Sequence, residues 1–216
     1  MVDAGEHLPS SSDEAVAAKD RLRAAGRAVR QSRSEHRRLH AASALADVVC
    51  GIDEVVQARC VALYASRSPE PGTGPLLERL QSRGVRILLP VLGSGLRRGW
   101  AEYVGLTDLE TRAPGRPLEP SGPDLGPDAV ADAEVVIVPA LAVDNAGVRL
   151  GQGGGWYDRA LAAVRPDALV LALLYDDELV NAGTAPLPRE PHDRLVDAVA
   201  SPSGWRRLSR STGAAR

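Results

Sequence analysis

The run Arg149-Leu-Gly-Gln-Gly-Gly-Gly-Trp-Tyr-Asp158 places four glycines in five positions between an arginine and an aspartate. Glycine lets the backbone take positive φ and approach a ligand closely, and successive N–H groups offer partial positive charge to an anion. A strand expected over 135–138 precedes the run and a helix expected over 158–164 follows it, so the helix amino end adds to the same field. Nucleotide phosphate is the first ligand this chemistry indicates. A plain surface turn is the reading that glycine content alone leaves open.

Spacing separates this loop from other phosphate cradles. GxxxxGK[ST] needs a lysine and a hydroxyl residue that are absent near Gly155, and GxGxxG starts at Gly151 and Gly153 but meets Trp156 where its last glycine belongs. A dinucleotide fold also puts its first glycine directly after the strand, whereas about a dozen residues separate Val138 from Gly151. Asp176 and Asp177, after the next strand, keep a ribose-binding acid open as an alternative. His36 and His40 lie four apart but lack HExxH, and no GxSxG supports a serine nucleophile.

The chain has 216 residues and a net charge of −2, with basic and acidic residues interspersed. That distribution excludes an extended nucleic-acid footprint, which needs a clustered basic face. No apolar run approaches a membrane span, and the acidic start, with Asp3, Glu6 and Asp13, lacks a basic region followed by an apolar core. The expectation is a cytoplasmic protein acting on small molecules, with no membrane partner. Cys50 and Cys60 read as reduced thiols. Lys19 is the only lysine beside 25 arginines, which marks it as a position needing a compact, rotatable ammonium.

The elements that must position these groups follow from periodicity. Residues 1–12 read as a disordered lead, followed by a helix to about Arg33 and a second over 34–49 with Leu39, Ala42, Leu45, Ala46 and Val49 on one stripe. Strands at 60–65 and 85–91 flank a helix at 74–83 as a βαβ unit. Further strands are expected at 100–104, 135–138, 168–175 and 195–200. Residues 93–126 form a long connection and 206–216 a basic, unstructured tail. The sum is one α/β domain over 14–205, its mostly parallel sheet covered by helices on both faces.

With Pro139, Ala142, Asp144 and Gly147 before it, the glycine run matches P-x-x-A-x-D-x-x-G-x-R-L-G-x-G-x-G-Y-Y-D through Arg149, Leu150, Gly151, Gly153, Gly155, Tyr157 and Asp158. Together with Lys19-x-x-x-Arg23, Glu70-x-x-Thr73, Glu119-Pro120 and Pro191-His-Asp-Arg-Leu-Val-Asp197, it resembles the 5-formyltetrahydrofolate cyclo-ligase family. The resemblance covers about residues 15–200. It implies a three-layer α/β/α fold of the NagB/RpiA/CoA-transferase type and a monomer that cyclises 5-formyltetrahydrofolate to 5,10-methenyltetrahydrofolate with ATP and Mg²⁺.

By the same resemblance, Lys19 and Arg149 are catalytic. Lys19, Arg23, Arg149, Leu150, Gly151, Gln152, Gly153, Gly154, Gly155, Trp156 and Tyr157 contact ATP. Glu70, Trp100 and the stretch from Gln152 to Trp156 contact the folate. Asp158 and Asp197 hold the metal, with Asp193 close enough in sequence to take the place of Asp197, and His192 is placed to orient either acid. The chain departs from the family pattern at Gln152 and Gly154, where basic residues are common, and at Trp156, where tyrosine is commoner. A non-catalytic relative that binds nucleotide or folate is the alternative function.

Overall fold

The computed structural model describes residues 11–92, 98–112, 116–190 and 193–208. Helices α1 (Ser11–Gln31) and α2 (Glu35–Cys50) come first, and Ser34 caps α2 by accepting the Arg37 N–H. They are followed by α3 (Asp53–Gln57), β1 (Cys60–Ala62), α4 (Gly74–Ser82), β2 (Arg86–Val91) and β3 (Gly99–Glu102). A small ribbon, β4 (Leu109–Glu110) with β5 (Glu119–Pro120), leads to β6 (Val135–Pro139), β7 (Ala142–Asp144) and β8 (Arg149–Leu150). The chain ends in α5 (Trp156–Ala160), β9 (Leu169–Leu173), β10 (Leu179–Val180), β11 (Ala198–Ser201) and β12 (Gly204–Arg207).

The main sheet has the order β12-β11-β9-β6-β1-β2-β3, parallel from β11 to β2 with an antiparallel strand at each edge. Strands buried on both faces need apolar residues at every position, and β6 supplies Val135-Val-Ile-Val138. Alternation then divides them. Val135 and Ile137 pack with Leu45, Val49, Leu76 and Leu80 of α2 and α4, while Val136 and Val138 pack with Ala160, Leu161 and Val130 on the other face. The result is the expected three-layer fold. The β1-α4-β2 unit is parallel, as the spacing predicts.

Some expectations are corrected. Leu39 is 63% exposed, because burial along α2 begins only at Ala41 and the apolar stripe extends past the packed part of the helix. The helix after the glycine run is a five-residue α5 continued by a 3₁₀ turn, too short to give a strong amino-terminal dipole. Arg206 and Arg207 belong to β12 rather than to an unstructured tail, since their backbones pair with Val199 and Ala198. Helix α1 begins at Ser11, inside the lead expected over residues 1–12. The expected lead over 1–10 and the tail over 209–216 lie outside the described residues, as do Pro191 and His192. Among the described residues no helix is long and apolar enough to cross a membrane.

Both cysteines are buried and free. Burial pushes the Cys60 thiol up to about 11, which leaves roughly one part in a thousand as reactive thiolate at pH 8. Native protein treated with iodoacetamide at that pH is expected to stay unmodified at Cys60 for hours while the unfolded chain reacts promptly, as read by intact mass. Fast labelling of the native protein would contradict this packing.

Candidate active site

The site lies where the carboxyl ends of β1, β2 and β6 open, the usual crevice of a parallel sheet. Arg149 is delivered there by a turn that Asp144 organises. The Asp144 carboxylate is 1% exposed and accepts N–H bonds from Ala146 (3.0 Å), Val148 (2.9 Å) and Leu187 (3.3 Å). Gly147 completes the turn at φ +90°, where a Cβ would stand 2.7 Å from the Val196 carbonyl. Two residues of the motif thus build the turn rather than meet a ligand.

Beyond the turn, Arg149 donates to the Pro139 carbonyl (3.3 Å) and to Asp158 Oδ1 (2.5 Å), with its side chain almost wholly buried. Its guanidinium lies so close under Gly151 that a Cβ there would sit 2.7 Å from Nη1. The loop therefore closes over its own arginine, and the ion pair spans the loop from entry to exit. Gln152, Gly153 and Gly154 are exposed along the cleft.

Helix α1 brings further cations to the same loop, because positions 19, 23 and 27 recur every fourth residue on one face. Lys19 is 7% exposed and bonds Glu190 (2.7 Å) and Asp193 (3.0 Å). Burial opposes its charge, but the hydrogen bonds it donates to the two carboxylates outweigh that and raise its pKa. Arg23 donates to the Gly151 carbonyl (3.1 Å) and to Asp20 (2.7 Å), and Arg27 reaches Gln152 Oε1 at 3.5 Å. A guanidinium thus stands beside the neutral loop residue. Neither Glu190 nor Arg27 carried a sequence signal of its own; Arg27 is visible only as the next step of the Lys19–Arg23 spacing.

Across the cleft, Glu70 sits on a loop cross-braced by Thr73, whose hydroxyl donates to the Tyr64 carbonyl (2.7 Å) and accepts the Ser66 N–H (3.0 Å). The Glu70 carboxylate accepts the Arg67 N–H (2.9 Å), which fixes it at the cleft wall. The cleft encloses about 510 Å³. Tyr157 and Trp156 line it, and the buried Tyr157 hydroxyl and Trp156 Nε1 have no hydrogen-bond partner among the described residues. Burial, with the nearby Glu70 charge, pushes the Tyr157 hydroxyl up, so it remains a protonated donor.

Two expected site residues are placed elsewhere. Trp100 is 1% exposed and packs edge-on behind Trp156, ring centres 5.1 Å apart, so it supports the cleft wall without lining it. Asp197 lies at the amino end of β11, where it accepts the Val170 N–H (3.0 Å) beside Glu134, Asp167 and Arg207 at the opposite edge of the sheet. The stretch from Asp193 to Asp197 is not helical, and four residues of chain can span up to about 13 Å. Asp193, not Asp197, shares the cleft with Asp158 and Lys19.

These features define a three-layer α/β protein with a glycine-rich loop lining an aromatic-walled cleft. Residues 15–202 match the model of the 5-formyltetrahydrofolate cyclo-ligase family, and the chain belongs to that family. It is 37% identical over 189 residues to the 5-formyltetrahydrofolate cyclo-ligase of Mycolicibacterium smegmatis, covering 85% of this chain and 93% of that protein. The Escherichia coli protein of the same name is 34% identical over 69% of this chain and 81% of its own length. The NMR structure of Aquifex aeolicus 5,10-methenyltetrahydrofolate synthetase superposes with a TM-score of 0.74 at 26% identity, covering 92% of this chain and 95% of that one. The protein is an enzyme of the cyclo-ligase class.

Relocating the second acid has a measurable consequence. Asp193→Asn is expected to lower steady-state turnover by about 100-fold, as loss of a charged group from an active-site cleft does. Asp197→Asn, which keeps an acceptor for Val170, is expected to stay within about threefold of wild type. The reverse ranking would contradict the placement of the two acids.

Proposed function

We propose that the protein converts 5-formyltetrahydrofolate to 5,10-methenyltetrahydrofolate with consumption of ATP, releasing ADP and phosphate. The observation that carries this reading is that the groups suited to phosphate and the carboxylate suited to a pterin face each other across one cleft. The formyl oxygen is a poor leaving group until it is phosphorylated. Transfer of the γ-phosphoryl group to it breaks the terminal P–O bond of ATP, and the N5 lone pair supports the resulting iminium phosphate. N10 then attacks the former formyl carbon and closes the ring, and departure of phosphate with loss of the N10 proton leaves the methenyl bridge.

The residues do this by position and charge, which dominate phosphoryl-transfer catalysis. Lys19 and Arg149 neutralise the transferring group, each already oriented by a carboxylate. Arg23, with the exposed loop from Gln152 to Gly155, cradles the remaining phosphates. Glu70 accepts hydrogen bonds from the pterin, and Trp156 and Tyr157 give flat faces to pterin or adenine. Arg27 supports catalysis over a binding-only role, since it sets positive charge beside Gln152.

Asp158 and Asp193 fit Mg²⁺. Two carboxylates on one cleft suit a hard cation that keeps several waters and shares substrate phosphates, and no closed group of three or more ligating side chains occurs among the described residues. Such an ion, when bound, offsets phosphate charge.

Purified protein given 5-formyltetrahydrofolate, ATP and Mg²⁺ is expected to develop the absorbance of methenyltetrahydrofolate and to stop when ATP is omitted or the metal is chelated. Tight binding of both substrates with no product at high enzyme concentration would replace this reading with the binding-only one.

A further inference from the structure

We infer that Arg30, Glu178 and Tyr175 form a buried strut that sets the Glu70 loop against helix α1, with Tyr175 the residue that positions Glu70. The inference rests on the proposed role of Glu70 toward the folate. Arg30 lies 11 residues after Lys19 on α1, about 16 Å along the helix axis. It is 1% exposed, and its guanidinium grips both Glu178 oxygens (2.7 Å each) while also donating to the Ala140 carbonyl. Such a planar fork fixes angle as well as distance, which a lysine cannot do.

Glu178 passes the constraint on, since Oε2 also accepts the Tyr175 N–H at 2.9 Å. The Tyr175 ring is stacked by Arg33 at 4.3 Å and flanked by Arg30 at 5.7 Å, both measured to the ring centre. Arg33 is in turn held by Asp177 (2.5 Å). At the far end the Tyr175 hydroxyl donates to the main-chain carbonyls of Glu70 (3.2 Å) and Pro69 (3.4 Å). The contacts therefore run without a break from the helix that carries Lys19 and Arg23 to the backbone of the residue facing them. Tyr175 itself does not line the cleft, so its effect on substrate passes through Glu70.

A double-mutant cycle tests this, with Tyr175→Phe, Glu70→Gln and the double variant compared with wild type in steady-state kinetics. Tyr175→Phe keeps the ring and its arginine stacking and removes only the hydroxyl. It is expected to raise KM for 5-formyltetrahydrofolate about five- to tenfold, leaving KM for ATP and kcat within about twofold and the melting temperature within about 2 °C. Because the hydroxyl acts through Glu70, the double variant is expected to match Glu70→Gln alone rather than show the product of the two effects. Additive effects, an unchanged folate KM in Tyr175→Phe, or equal rises in both KM values with a lower melting temperature would overturn the strut while leaving Glu70 in its role. An unchanged folate KM in Glu70→Gln would instead remove that role, and the proposal with it.

Discussion

The site depends on a buried cation held by a carboxylate far away in sequence. Arg30 would be prohibitive in the interior alone, and breaking a pair of this kind by removing one partner costs about 3–5 kcal/mol. Glu178 pairs with it through two short bonds, and the pair clamps α1 to the carboxyl ends of the strands. Neither of the two main apolar clusters includes a residue of α1. Its docking is therefore mostly polar, and the cations at its other end are positioned by the same clamp.

Charge compensation repeats at each functional cation. Lys19 is matched by Glu190 and Asp193, and Arg149 by Asp158. Under the proposed function each pair orients a cation before the nucleotide binds, which leaves little reorganisation for phosphoryl transfer. Under the proposed function the same acids face the phosphates and a magnesium ion. Beside them Trp156 and Tyr157, backed by Trp100, supply an apolar surface whose buried donors meet no acceptor among the described residues.

Much of this was legible in the sequence. Unbroken apolar runs such as Val135–Val138 announced doubly buried strands, and the glycine run with Lys19 and Glu70 announced the cleft. What stayed hidden depended on the third dimension. Asp193 and Asp197 would share a face if the segment were helical, but it is irregular and carries them to opposite ends of the parallel strands. Trp100 had the composition of a ligand-stacking residue, yet its strand turns it into the core behind Trp156. Gly147 and Asp144 belong to the motif for turn geometry, which spacing alone does not distinguish from ligand contact. The Arg30–Glu178 pair joins residues 148 apart, and no local pattern marks either one.

The central claim is that this cleft activates the formyl oxygen by phosphorylation. Labelling that oxygen of 5-formyltetrahydrofolate with ¹⁸O and analysing the released phosphate by mass spectrometry addresses it directly. The account predicts one ¹⁸O atom in each inorganic phosphate formed with methenyltetrahydrofolate. Product formed with unlabelled phosphate, the label having passed to water, would contradict it.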